Sequence, residues 1–136
     1  MTDAWVVDAS VVAKWVLPEP ASDAALKLRG HRLVAPEFLD IECASILWKT
    51  MRRGEITPEE ALELQADLRD APVERLPNAA LLPLAMLVAT EAQHSVYDCL
   101  YVAAAELSGL PIITADRRLV RLRWRDVRIV PLDDLP

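Results

Sequence analysis

The sequence predicts an α/β fold in which a parallel sheet is covered by helices on both faces. Short apolar runs rich in β-branched residues recur along the chain, and single or paired helical segments separate them. Of the 136 residues, 53% are hydrophobic, which is enough to bury a sizeable core. Strands joined by intervening helices are typical of a parallel sheet. Because no internal repeat or linker interrupts the pattern, we expect one domain over residues 1–136.

The N-terminal third predicts two strands and three helices. Residues 4–8 form a β-branched and aromatic run with little alternation, as in a strand buried on both faces. Residues 10–17 and 21–29 predict short helices that end at Pro18 and Gly30 respectively. The brief apolar run at 32–35 predicts a second strand, and 38–53 a long helix that Gly54 ends.

The middle of the chain predicts a helical pair, a weak strand and a further helix. Thr57 followed by Pro58 and Glu60 is a strong helix start, and that helix extends to about residue 69. Residues 73–76 predict the third strand. A further helix is expected from about residue 82 to 93, with Pro83 in its first turn.

The C-terminal third completes the sheet. Residues 95–108 predict a helix that ends at Gly109, and 111–114 form the clearest strand after the first. A short helix over 116–122 and a last strand over 127–130 follow. The prediction is therefore a three-layer α/β fold with a five-stranded parallel sheet flanked by helices.

Bulk composition limits the functional classes. The net charge of −6 argues against a general nucleic-acid coat, which would be basic. No apolar run reaches the roughly 18 residues of a membrane span, and no basic segment precedes the first apolar stretch, so we expect neither a membrane protein nor a secreted one. Cys43 and Cys99 are expected to be reduced core residues, and the cytoplasm is the expected compartment.

Four acidic residues lie where hydrophobic segments meet a turn or a helix: Asp8, Glu42, Asp98 and Asp116. Because α/β folds gather the carboxyl ends of their strands along one edge, we expect these acids to converge there. Converging carboxylates repel one another unless a cation joins them, and a hard divalent ion suits such ligands. The pattern therefore points to metal-dependent phosphodiester chemistry.

Each acid also has a structural alternative. Asp8, Asp98 and Asp116 all occupy positions typical of helix caps, and Ser95 with Asp98 fits a capping box. Glu42 is more informative, because the residues three and four positions away offer it no basic partner. From the residues alone, the capping and ligand interpretations both stay open.

Four motifs in order resemble those of PIN-domain ribonucleases, and their spacing is similar to that of VapC-type toxins. The motifs are Val6-Val7-Asp8-Ala9-Ser10, Ala35-Pro36-Glu37 with Glu42 six residues beyond the proline, the helix around Tyr97-Asp98, and Ile113-Thr114-Ala115-Asp116. The resemblance spans residues 3–132. It implies a PIN-domain fold, an acidic quartet of Asp8, Glu42, Asp98 and Asp116, and supporting hydroxyls at Ser10 and Thr114.

The resemblance also implies a mechanism and partners. Mg²⁺, or Mn²⁺, on the quartet would activate a water for attack on an RNA phosphate. It further implies a VapB-like antitoxin, an RNA substrate and a toxin homodimer. Some relatives carry another acid after the last aspartate, where this chain has Leu119 and Val120, so whether one or two ions bind stays open.

The remaining charged and aromatic residues are assigned from their positions. Candidate phosphate contacts are Lys14, Lys49, Arg117 and Arg118. We expect His31 and His94 to be ordinary surface or loop residues and Glu19 and Asp40 to be solvated charges, and exposed aromatic residues to offer stacking to unpaired bases. The alternative function is a non-catalytic or regulatory α/β module with an acidic metal pocket. A receiver-like module expects a lysine after a late strand, but no lysine follows Lys49.

Overall fold

The computed structural model describes residues 3–135 and contains one parallel sheet flanked by seven α-helices within that range. The strands are β1 (Ala4–Val7), β2 (Arg32–Pro36), β3 (Glu74–Leu76), β4 (Ile112–Thr114) and β5 (Ile129–Pro131). The helices are α1 (Ala9–Val12), α2 (Ser22–Lys27), α3 (Phe38–Arg52), α4 (Pro58–Arg69), α5 (Asn78–Ala92), α6 (Val96–Ser108) and α7 (Arg117–Arg121). The predicted five-stranded α/β fold is confirmed.

The strand order is β3-β2-β1-β4-β5, so the first strand lies at the centre of the sheet. Val6 pairs with Val34 of β2 on one side and with Ile112 of β4 on the other, always in parallel register. These side chains are fully buried, as expected for a central parallel strand that is covered on both faces. The parallel register places the carboxyl ends of β1 and β4 side by side.

Helix α6 is the main helical component of the core. Residues 99–105 are all buried, and the helix packs on β1, β2 and β4 as well as on α5. Cys43 and Cys99 are buried and unpaired, as the sequence predicts. Within residues 3–135 no helix is both long and apolar enough to cross a membrane.

Several predicted ends agree with the structure. Thr57 and Glu60 make both hydrogen bonds of a capping box, at 3.1 and 3.0 Å. Gly54 and Gly109 adopt the left-handed conformation directly beyond α3 and α6, with φ of 77° and 70°. Glycine reaches this conformation without the steric cost that a side chain would add.

The start of α5 differs from the prediction by four residues. The helix begins at Asn78 rather than near residue 82, and Pro83 lies inside it rather than in its first turn. The carboxylate of Glu37 accepts a hydrogen bond from the Asn78 amide at 3.0 Å, and the Asn78 side chain accepts one from the Phe38 amide at 3.0 Å. The hydrogen bond of the first amide of α5 is therefore supplied by a distant part of the chain.

Three further boundaries were predicted imprecisely. The segment expected to be one helix over 10–17 is α1 followed by a 3-10 turn at Ala13–Trp15. Helix α2 begins at Ser22 because Ala21 adopts a left-handed conformation with φ of 67°. Strand β5 lies one or two residues later than expected.

Candidate active site

Asp8 and Asp116 lie at the carboxyl ends of two neighbouring strands. Asp8 directly follows β1, and Asp116 lies two residues beyond the end of β4. Glu42 lies in the second turn of α3, which begins just after β2. Asp98 lies in the first turn of α6. The fold thus brings elements from four distant parts of the chain to one edge of the sheet.

Asp8 is the most buried of the four acids, with 6% of its surface exposed. Its two carboxylate oxygens accept hydrogen bonds from the hydroxyls of Ser10 and Thr114, each at 2.6 Å. Although Asp8 occupies the N-cap position of α1, its side chain makes no capping hydrogen bond. The capping alternative therefore does not account for this residue.

The two hydroxyl groups also connect the ends of β1 and β4. Ser10 Oγ accepts a hydrogen bond from the Ala115 amide, and Thr114 Oγ1 accepts one from the Asp116 amide, both at 2.9 Å. The hydroxyl oxygens lie 3.3 Å apart. Each hydroxyl thus accepts from the loop after β4 and donates to Asp8, which fixes the Asp8 carboxylate relative to Asp116.

Glu42 has a partner that its local sequence does not reveal. The hydroxyl of Tyr101, a residue only 1% exposed, donates a hydrogen bond to Glu42 Oε1 at 2.5 Å. Burial and the nearby Glu42 raise the pKa of Tyr101 well above its usual value, so the hydroxyl keeps its proton. Tyr101 is separated from Glu42 by 59 positions, so helical spacing could not have found it.

His94 lies in the loop before α6, as predicted for a surface or loop residue, but its contact with Asp98 was not predicted. His94 Nε2 lies 2.7 Å from Asp98 Oδ2, and both side chains are largely shielded from solvent. The contact joins an imidazole nitrogen to a carboxylate oxygen, and the direction of the hydrogen bond depends on the tautomer of the ring. Only half of the expected capping box forms, because Ser95 accepts from the Asp98 amide at 3.3 Å while the Asp98 carboxylate contacts His94. The signal in the sequence is the spacing of four residues between His94 and Asp98.

Asp116 combines a structural contact with its place at the site. Its Oδ1 atom accepts a hydrogen bond from the Arg118 amide at 2.8 Å and so caps α7. The Arg118 guanidinium lies 3.8 Å from the same oxygen but is mostly exposed. The capping interpretation is therefore correct for Asp116, and it leaves the second oxygen outside these contacts.

The site concentrates negative charge in a poorly solvated place. Burial raises the pKa of Asp8 from 3.8 to about 6, although the Ser10 and Thr114 hydroxyls oppose the shift. Burial likewise raises the pKa of Glu42 from 4.5 to about 7, and the carboxylates of Asp8, Asp98 and Asp116 add to the shift. Glu42 is therefore the acid on which the charges of the other three act together, and Asp8 is affected by Asp116.

Comparisons with known proteins identify the family of this fold. A family model described as PIN domain matches residues 5–125. The chain belongs to the PIN-domain family. Ribonuclease VapC12 of Mycobacterium tuberculosis is 33% identical to this PIN domain over 125 residues, which cover 91% of this chain and 95% of that protein.

Solved structures share the same fold. The crystal structure of PAE2754 from Pyrobaculum aerophilum matches with a TM-score of 0.72 and 25% identity, covering 96% of this chain and 84% of that one. The structure of VapBC2 from Rickettsia felis, bound to a DNA fragment from its promoter, matches with a TM-score of 0.67, covering 94% of this chain and 98% of that one. At 12% identity the second comparison supports the fold alone.

The donor chemistry of this PIN domain fits a hard divalent cation. All four acids offer oxygen ligands, and the pKa values of Asp8 and Glu42 are raised first by burial and then by neighbouring carboxylates, two effects that a nearby cation would offset. Across residues 3–135, no three His, Cys, Asp or Glu side chains are arranged so that together they could hold a metal ion. Mg²⁺ commonly uses only one or two carboxylates and keeps several waters, so the two findings are compatible.

The predicted phosphate contacts fall into two groups. Lys14 is largely buried and pairs at 3.1 Å with Glu19, which is exposed, as expected of a solvated charge. Lys49, Arg117 and Arg118 are exposed. Arg117 also lines a cavity of about 250 Å³ together with Thr114, close to Asp116. The arginines of α7 are therefore accessible beside the acidic site, whereas Lys14 is already engaged.

Proposed function

We propose that this PIN domain is a metal-dependent endoribonuclease and the toxin of a type II toxin–antitoxin pair. The observation that carries the proposal is the site at the carboxyl ends of β1 and β4, where Ser10 and Thr114 hold the buried Asp8 carboxylate beside Asp116 and where burial raises the pKa values of Asp8 and Glu42. Strongly perturbed carboxylates of this kind are typical of functional sites. The similarity to a VapC ribonuclease over 95% of its length supports RNA as the substrate.

In this proposal, Mg²⁺ binds among Asp8, Glu42, Asp98 and Asp116, with one or two of these carboxylates as direct ligands and waters between the ion and the others, and Mn²⁺ could replace it. The ion would supply Lewis-acid activation and neutralise charge on the phosphate. Ser10 and Thr114 act on Asp8, since their hydroxyls hold both of its oxygens. The four acids only accept hydrogen bonds when ionised, so the substrate phosphates need other partners.

Two positioning residues, Tyr101 and His94, are added to the site residues that the sequence predicted. Tyr101 holds one oxygen of Glu42, and His94 holds one oxygen of Asp98. Partners that orient ligands in this way typically contribute about ten- to a hundredfold to metal affinity or activity. Arg117 and Arg118, exposed directly after Asp116, are the proposed contacts to phosphate.

A cognate antitoxin of the VapB kind is the proposed protein partner. The fold match to VapBC2 from Rickettsia felis supports this, and a toxin homodimer in the cytoplasm is part of the same proposal. An active ribonuclease would harm the cell that makes it, so a bound inhibitor is a functional requirement.

The test is cleavage of purified RNA by the wild-type protein with Mg²⁺, with Mn²⁺ and with a chelator. We expect cleavage only with a divalent ion. Asp8→Asn and Asp98→Asn should each reduce the rate more than about a hundredfold, because removing a ligand should cost more than removing an outer-shell partner. The exposed Asp67, changed to Asn, is the matched control and should retain activity. Unchanged cleavage in both site variants would exclude the proposed enzyme.

A further inference from the structure

Helices α3 and α6 meet through two side-chain contacts that follow the same spacing. Phe38 stacks on Tyr97, and Glu42 accepts the hydrogen bond of Tyr101. Phe38 and Glu42 are four residues apart, so they lie on the same face of α3. Tyr97 and Tyr101 are also four residues apart and lie on the same face of α6. The aromatic pair therefore lies one helical turn from the Glu42 contact and borders the acidic site.

The aromatic pair is ordered but still accessible. The ring centroids of Phe38 and Tyr97 lie 5.1 Å apart with an interplanar angle of 11°, which is a parallel stack. Tyr97 is 58% exposed, while Phe38 is half-buried and packs against the core. Phe38 thus supports the Tyr97 ring from one side, and much of the Tyr97 surface remains free to contact a ligand.

An RNA substrate needs contacts here that do not depend on charge. The acidic residues repel phosphate, and the chain as a whole carries a net charge of −6. Stacking of a base on an aromatic ring contributes favourably whatever the local charge, and every base offers a flat face. A tyrosine already held by Phe38 loses little further conformational freedom when a base binds.

We infer that the Phe38–Tyr97 pair is a stacking surface for one unpaired base next to the phosphate that is cleaved. The inference rests on the proposed endoribonuclease function and adds a substrate contact to the same site. In this arrangement the base lies against Tyr97, and the exposed Arg117 and Arg118 after Asp116 contact the phosphates. Binding then combines an uncharged contact beside Glu42 with charged contacts beside Asp116.

The experiment is a mutant cycle between the Tyr97 side chain and single bases of the substrate. The cleavage site is first mapped on cellular RNA, and a short oligoribonucleotide containing it is synthesised. A series of oligonucleotides then carries one abasic position at each of the nucleotides flanking the cut. Wild-type protein and Tyr97→Ala are compared for KM and kcat on every member of the series.

We expect one abasic position to raise the wild-type KM by about ten- to a hundredfold, the range of a lost base stack. Tyr97→Ala should raise KM on the intact RNA by a similar factor, and the same abasic position should then add little. Tyr97→Phe should behave like the wild type because it keeps the ring. Leu107→Ala, which shortens an exposed side chain near the other end of α6, is the matched control.

If the increases in KM caused by Tyr97→Ala and by an abasic nucleotide are additive at every flanking position, the inference is overturned. The ribonuclease function would remain intact. The inference also fails if Tyr97→Ala leaves KM unchanged but weakens self-association or antitoxin binding, since the pair would then belong to a protein interface. Absence of RNA cleavage by the wild-type protein would remove both proposals together. Tyr97 is exposed, so its truncation should not unfold the protein, and a thermal melt checks this.

Discussion

Helix α3 carries two acids, Asp40 and Glu42, that have opposite surroundings although one residue separates them. Asp40 forms an ion pair with Arg75 at 3.0 Å, and it is not the solvated charge that the sequence suggested. Glu42 has a neutral tyrosine hydroxyl as its hydrogen-bond donor and three further carboxylates nearby. One acid is neutralised by the fold, whereas the other is left with unbalanced charge.

The Arg75 side chain explains why the Asp40 region is stable. Its guanidinium donates to Asp40 and also to the backbone carbonyls of Leu68, Ala71 and Val73, at 2.8 to 2.9 Å. It therefore joins the end of α4 to α3. At Asp8 and Glu42, by contrast, burial and neighbouring carboxylates raise the pKa values, and carboxylates perturbed in this way are typical of functional sites.

The largest expected effect comes from removing the arginine that pairs with Asp40, so that Asp40 is left without a cationic partner, as Glu42 is left among carboxylates. Arg75→Met leaves Asp40 and three carbonyl groups without their donor, and we expect a loss of about 2–3 kcal/mol in unfolding free energy, less than for a fully buried pair because the pair is partly exposed. Urea unfolding measures the loss. The control is Arg32→Met, which breaks the exposed pair with Glu74 and should cost about 0–1 kcal/mol. Equal losses in the two variants would contradict this account.

A smaller effect should follow from removing the one donor of Glu42. Tyr101→Phe keeps the buried ring but deletes the hydroxyl that holds Oε1. We expect Mn²⁺ affinity, measured by titration calorimetry, to fall about ten- to thirtyfold, within the usual range for an outer partner of a metal ligand. In the Glu42→Gln background the same change should have little further effect. An affinity within twofold of the wild type would show that Tyr101 is only a packing residue.

The smallest expected effect is a dependence of stability on pH. Burial raises the pKa values of Asp8 and Glu42 in the folded protein to about 6 and about 7, whereas their usual values are 3.8 and 4.5. At pH values between the usual and the raised pKa values, the folded state binds more protons than the unfolded state. The unfolding free energy therefore falls as pH rises. Without divalent ions we expect unfolding free energy to rise by on the order of 1 kcal/mol from pH 7.5 to 5.5, after discounting for partial exposure of Glu42.

Divalent cations should reverse that trend. Mg²⁺ binds the ionised carboxylates, so it should stabilise the protein more at pH 7.5 than at pH 5.5. Thermal melts at both pH values, with Mg²⁺ and with a chelator, test this. Asp8→Asn should reduce the pH dependence measured without metal. A stability that is independent of pH in that window would indicate that the carboxylates are well solvated.

Local patterns were sufficient for most of the fold. The capping box at Thr57 and Glu60 and the glycines at 54 and 109 marked helix ends correctly, because the groups that satisfy those ends are adjacent in sequence. The start of α5 was missed for the opposite reason. Its first amide is satisfied by Glu37, 41 positions away, and no local signal marks that contact.

The sequence by itself determined the sheet, its helices and the positions of the four acids relative to the ends of those elements. Apolar periodicity and turn residues encode these features locally, and the family motifs follow them. The family motifs pointed to the hydroxyls of Ser10 and Thr114, which donate to Asp8, but the tertiary structure alone decided that Tyr101 contacts Glu42 and that His94 contacts Asp98. Burial and the field of neighbouring charges depend on residues that meet only when the chain folds, so the raised pKa values of the site could not be obtained from the residues in order.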